Sequence, residues 1–200
     1  MPSVLPSEAM IASHAVTLEE WDQLDEDDSR ELVDGRLEEA EVPNVPHERI
    51  VTWLLLHLAP YYEARGGVAF GSGIKLACSP QRGRMADVVC FSAGALLPLD
   101  GVVTTPPDLV VEVVSRTPRD QKRDRILKPE DYAKLGARLY WLVDPWLRSF
   151  EVLELGADRR YVRALATTGG RVDEVPGLPG LSLEIDDLWN KLDALSPGAG

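Results

Sequence analysis

Apolar positions in this chain gather in short blocks rather than long runs, and most blocks are rich in β-branched residues. Val68 to Phe70, Ile74 to Cys78, Ala86 to Phe91 and Leu109 to Val114 are of this kind, and the Gly and Pro rich connections between them mark them as strands. Asp120 to Leu135 reads as helical and leads through Gly136 into another apolar block, Leu139 to Asp144. Leu109 to Asp144 therefore resembles a β-α-β unit, whose right-handed crossover makes the two strands parallel. Earlier, Thr17 and Glu20 form a capping box at the start of a short helix, Leu18 to Leu24. Arg30 to Glu39 reads as a hairpin turning at Asp34-Gly35, a pair that favours the left-handed dihedrals of a tight turn. Asn44 and Pro46 open an amphipathic helix, Pro46 to Ala64, which buries Ile50, Trp53, Leu54, Leu58 and Tyr61 and closes at Gly66-Gly67. Phe150 to Leu155 and Tyr161 to Ala166 form an antiparallel extension, followed by Leu181 to Ile185 and a last helix, Asp186 to Leu192. The expected class is α/β (α+β).

Two carboxylates break the apolar pattern. Glu112 sits in the middle of Leu109 to Val114 and shares a face with Val110 and Val114, since strand side chains alternate. An ionised carboxylate there requires a cation or hydrogen-bond donors. Asp87 opens the preceding strand and shares a face with Val89 and Phe91. Carboxylates on neighbouring strands can hold one Mg²⁺ between them, with the backbone carbonyl of Val113 as a further ligand. Without a metal, Glu112 would need an ion pair, with Arg84 or Lys128 as partner.

Composition narrows the picture. At 200 residues, 44% hydrophobic and 27% charged, the chain suits one folded domain, residues 16–195, between tails at 1–15 and 196–200. Cys78 and Cys90 fall in or beside strands without metal-binding spacing and read as reduced core thiols. Nothing at the start resembles a secretion signal, and the longest apolar run, Trp53 to Ala59, is too short for a bilayer and contains His57. A cytoplasmic protein without membrane contact is expected. The net charge of −12 argues against general nucleic-acid binding. The charge is segregated, however: acids crowd Glu19 to Glu41, whereas Arg116, Arg119, Lys122, Arg123, Arg125 and Lys128 follow the Glu112 strand. Taken alone, that basic run reads equally well as a solvated helix face with pairs such as Asp124 to Lys128.

Six motifs then occur in order: Glu31-Leu-Val-Asp-Gly-Arg-Leu37, Pro46-His-Glu-Arg-Ile50, Arg84-x-x-Asp87-Val, Pro107-Asp-Leu-Val-Val-Glu-Val113, Asp124-x-x-x-Lys128-x-x-x-Tyr132-x-x-x-Gly136 and Tyr140-Trp-Leu-Val-Asp-Pro145. Their joint occurrence over Thr17 to Leu155 resembles the Uma-type restriction endonuclease family of the PD-(D/E)XK nuclease superfamily. The resemblance implies a restriction-endonuclease-like mixed sheet flanked by helices, a divalent-metal site holding Mg²⁺ or Mn²⁺, and hydrolysis of a DNA phosphodiester. Carried over by position, Asp87 matches the aspartate of the PD element and Glu112 the acid of (D/E)XK. Val114 stands where the lysine belongs, and Lys128 on the following helix stands at the place that replaces it, with Lys122 as the nearest substitute. Glu31 matches an additional acid ahead of the core, and His47 a histidine at the start of the long helix.

Two departures from the pattern bear on the site. Ala86 replaces the proline before Asp87, which removes no ligand. Pro129 follows Lys128 directly, so a helix through Lys128 must kink or restart there. A duplex cutter of this size is expected to act as a homodimer, one site per strand. The competing expectations are a nuclease-fold protein without turnover that binds DNA or another protein, and an interaction protein whose acidic face, Glu19 to Glu41, meets a basic partner.

Overall fold

A computed structural model describes residues 14–25, 28–40 and 42–195. In chain order the elements are α1 (Leu18–Asp22), β1 (Glu31–Val33), β2 (Arg36–Glu38), α2 (Val45–Glu63), β3 (Val68–Phe70), β4 (Lys75–Ser79), β5 (Arg82–Met85), β6 (Val88–Phe91) and β7 (Leu109–Val113). Then follow α3 (Pro118–Lys122), a π-helical turn (Arg123–Leu127), α4 (Lys128–Leu135), β8 (Leu139–Asp144), β9 (Ser149–Leu155), β10 (Tyr161–Thr167), β11 (Arg171–Val172), β12 (Leu183–Glu184) and α5 (Ile185–Asp193). The expected tail at 196–200, most of that at 1–15, and Glu26, Asp27 and Glu41 of the acid-rich stretch lie outside the described residues.

The central sheet has six strands in the order β10-β9-β8-β7-β6-β3. Only β7 and β8 run parallel, with Glu112 opposite Leu142; the other neighbours are antiparallel. Both parallel strands are buried at every position, which is why they read as unbroken apolar runs. One face carries Val88, Cys90, Val111, Val113, Trp141 and Val143 against Trp53, Leu54 and Leu58 of α2 and Leu188 and Trp189 of α5. The other carries Val89, Phe91, Val110, Val114, Tyr140 and Leu142 against Tyr132 of α4 and Leu76 of a second, smaller sheet. Both cysteines are buried and free. Among the described residues, no helix is long and apolar enough to cross a membrane.

The smaller sheet has the order β2-β1-β5-β4. Its β1–β2 hairpin turns where the sequence indicates: Asp34 (φ 50°) and Gly35 (φ 72°) both adopt left-handed backbone. Strand β5 has no counterpart in the sequence reading, because Arg82-Gly-Arg-Met85 is neither apolar nor alternating. It is held by pairing on both sides, to β1 and β4. Gly83 is required there, since a Cβ would fall 2.1 Å from Cζ3 of the Trp21 ring that packs across it.

The helical stretch after β7 departs most from expectation. It begins at Pro118, capped by Thr117, and does not break at Pro129. Lys128 keeps right-handed helical dihedrals (φ −62°, ψ −40°), although a following proline disfavours them. The conflict is absorbed one turn earlier, where the chain widens into the π-turn and the Lys128 N–H reaches back to the Arg123 carbonyl. The next bond in that series would run from residue 129, which as proline has no N–H. The Tyr140 hydroxyl donates to the Asp124 carbonyl instead, at 2.6 Å.

Candidate active site

Separate elements deliver polar side chains to one place beside the C-terminal end of β7. Glu31 opens β1, Asp87 lies in the bend between β5 and β6, Glu112 is on β7, Lys128 opens α4, and His47 sits in the first turn of α2 where Asn44 caps the helix. These five line a cavity of about 50 Å³ together with Val113, Arg123 and Asp124. All four residues singled out from the sequence as catalytic therefore share one cavity. Lys122, the substitute for the lysine, is exposed and does not line it.

Glu112 is buried and fully engaged. Lys128 Nζ lies 2.6 Å from Oε2, and the Tyr132 hydroxyl donates to Oε1 at 2.6 Å. Lys128 is thus the ion-pair partner of Glu112, and Arg84 is not. Lys128 Nζ also stands 3.6 Å from Asp124 and 3.8 Å from Glu31. Burial pushes the Glu112 carboxyl up to about 8; Lys128 opposes the shift, while Asp87, Asp124 and Glu31 add to it. Lys128 also moves upward: burial works against its charge, but the four surrounding carboxylates outweigh it. Both members of the pair thus hold protons more tightly than usual, as expected where acids outnumber cations in a dry site.

Asp87 and Glu31 behave differently. Asp87 accepts from the Val113 N–H at 2.6 Å and lies 3.1 Å from His47 Nε2. Burial opposes its charge, yet His47, Lys128 and that N–H hold its pKa below the usual value. His47 rises in turn to about 9, because Asp87 and Glu48 outweigh the burial that disfavours its charge. Glu31 is buried, at 2% exposed. It accepts from Arg84 Nη1 at 2.7 Å and from the Met85 N–H at 3.1 Å. Arg84 also binds Asp131 at 2.8 Å, and Arg82 reaches the same carboxylate. Lys128 and Arg84 together keep the Glu31 pKa low despite burial.

Several participants escaped the sequence reading. Tyr132 is buried in the core, and its hydroxyl is bonded to Glu112. Arg84 and Asp131 form the buried support behind Glu31. Asp124 was read as one half of a surface pair and is buried in the cavity wall. The signal was present in the Asp124, Lys128, Tyr132 spacing, which sets all three on one helical face.

The donor set suits a small hard cation. Asp87 and Glu112 line the cavity, and Asp124, which lines it too, has Oδ1 buried without a hydrogen-bond partner. Among the described residues no three acidic, histidine or cysteine side chains converge as a ready-made ligand cluster. Mg²⁺ does not require one, because it is commonly held by one or two carboxylates and completes its shell with water.

The comparisons with known proteins agree with this architecture. A solved structure described as a "putative nuclease belonging to DUF820" from Anabaena variabilis ATCC 29413 has a TM-score of 0.66 to this chain at 19% identity. The match covers 88% of this chain and 99% of that one, and shows a shared fold. The chain belongs to the Uma2 family, whose model, described as "Putative restriction endonuclease", matches residues 17–186. Comparison with curated proteins gives no match. Family membership supports a nuclease in general terms.

Proposed function

We propose that the protein is a metal-dependent DNA endonuclease of the PD-(D/E)XK type. The observation that carries this reading is the meeting of Asp87, Glu112 and Lys128, from an interstrand bend, a strand and a helix, in a single cavity. Asp87 and Glu112 would hold Mg²⁺ or Mn²⁺. Such an ion supplies a water of lowered pKa and a Lewis acid for the phosphoryl oxygens. The protein groups do the rest. Lys128 carries a positive charge for the phosphorane-like transition state, and Tyr132 fixes the Glu112 carboxylate in orientation. His47 and the Val113 N–H fix Asp87 from two sides. Glu31, tied to Arg84, keeps Lys128 within its carboxylate cage. We extend the proposal to a homodimer, one site for each strand of a duplex.

One observation favours a second reading. Both oxygens of Glu112 are taken by Lys128 and Tyr132. A site satisfied by its own side chains also suits a nuclease scaffold that binds DNA or protein without turnover. Calorimetry with Mn²⁺ on the wild type and on Asp87→Ala/Glu112→Ala, with plasmid nicking on the same samples, separates the two. Binding and nicking that both vanish in the double variant are the expected result. Metal binding that survives the double substitution, or is missing from the wild type, overturns the endonuclease reading.

A further inference from the structure

Cleavage needs a cation on the phosphate as well as a metal, and Lys128 is poorly placed to supply it alone. Its side chain is 6% exposed, and Nζ faces three carboxylates. Arg123 lines the same cavity, and the π-turn is what brings it there. In an α-helix, residues five apart point about 140° away from each other. The Lys128 N–H to Arg123 carbonyl bond closes a wider turn that carries residue 128 round toward residue 123, so both cations enter one cavity. Pro129 underlies that geometry, since a residue without an N–H cannot continue the regular ladder.

The guanidinium of Arg123 is incompletely used by the protein. Its ion pairs are loose, 3.4 Å to Asp120 Oδ1 and 3.5 Å to Asp124 Oδ1, and its Nε is buried without a hydrogen-bond partner. Asp120 is meanwhile held by Thr117, and Asp124 accepts from the Ser115 N–H at 3.5 Å. A guanidinium carries five N–H donors in a fork that matches two oxygens of a phosphate. Its side chain is 11% exposed, so it is fixed by its surroundings yet open to the cavity.

We infer that Arg123 is a substrate-contact residue whose guanidinium binds the non-bridging oxygens of a DNA backbone phosphate at the Asp87–Glu112 cavity. The inference rests on the nuclease reading. Its test is the salt dependence of binding to a short fluorescent duplex, with Ca²⁺ in place of Mg²⁺ to suppress turnover. Arg123→Gln should weaken binding roughly ten- to hundredfold, as for a lost charged hydrogen bond. The slope of log K against log salt should shrink by about 0.9, one phosphate contact. Arg160→Gln, an exposed arginine that does not line the cavity, should change neither. An unchanged slope and affinity in Arg123→Gln, with wild-type binding intact, overturns the inference and leaves the nuclease reading standing. Wild-type protein that neither binds nor cleaves DNA overturns both. If Arg123→Gln does not fold, Arg123→Lys decides: it keeps the charge beside Asp120 and Asp124 but loses the fork. A fall in affinity of about tenfold at constant slope supports the inference, and wild-type affinity overturns it.

Discussion

At the residue scale, the buried Lys128–Glu112 pair governs both chemistry and stability. Removing one partner of a buried pair leaves the other uncompensated, at a cost of about 3–5 kcal/mol, whereas replacing both with apolar groups of similar size is often close to neutral. Lys128→Met should therefore destabilise the protein by about that amount in urea unfolding above about pH 8, where Glu112 is ionised in the folded wild type. The loss should shrink as pH falls through about 8, because a protonated Glu112 no longer needs the ammonium. Lys128→Met/Glu112→Leu should recover part of it while remaining inactive, because Glu31 and Asp124 still lose the ammonium and Tyr132 loses its acceptor. A Lys128→Met variant as stable as the wild type would show that the pair is solvated and not buried. Glu112 was recognisable in sequence because a carboxylate in an unbroken apolar strand demands a partner. Which partner it took was not, since Arg84 and Lys128 both carry suitable charge and only the fold separates them.

At the element scale, the π-turn shows how a local defect becomes a functional shape. The sequence announced the defect: a proline directly after the candidate lysine cannot sit inside a regular helix without a lost bond. It did not announce the remedy, because the Tyr140 hydroxyl that meets the Asp124 carbonyl comes from β8, sixteen residues on. Tyr140→Phe should leave that buried carbonyl unpaired and cost about 1–3 kcal/mol, the penalty for an unsatisfied polar group. It should also slow any cleavage, as the turn that presents Arg123, Asp124 and Lys128 loosens. Thermal unfolding and nicking rates on one preparation would check both; stability within error of the wild type would remove Tyr140 from this role. The other elements divide by the same logic. Strands β7 and β8 and helix α2 were legible because burial imposes an apolar pattern. Strand β5 was not, because its residues Arg82, Gly83 and Arg84 are chosen for contacts with Asp34, Asp131, Glu31 and the Trp21 ring, and such choices leave no periodicity.

At the scale of the whole molecule, the acidic site occupies one end of the central sheet and a separate ion pair braces the other. Asp108, just ahead of β7, accepts from Tyr62 of α2 at 2.6 Å and from Arg138, ahead of β8, at 2.6 Å and 3.0 Å. Burial opposes the charge of Asp108, but Arg138 and Tyr62 outweigh it, and the carboxyl titrates below its ordinary 3.8. A carboxylate depressed in the folded state binds fewer protons folded than unfolded, so stability rises with pH across that interval. The contribution of Asp108 is therefore complete above about pH 4 and disappears as pH falls through the lower, folded-state value. Unfolding followed from pH 7 to pH 2 should show Asp108→Asn clearly less stable than the wild type at pH 7, with the two curves converging at the acid end. A difference that stays constant with pH would mean that the variant acts through packing, not charge. Because Asp108 joins the long helix to the parallel strand pair at the end away from the cavity, its loss should lower stability without altering Mn²⁺ affinity at pH 7. Measured together, the two quantities distinguish damage to the scaffold from damage to the site.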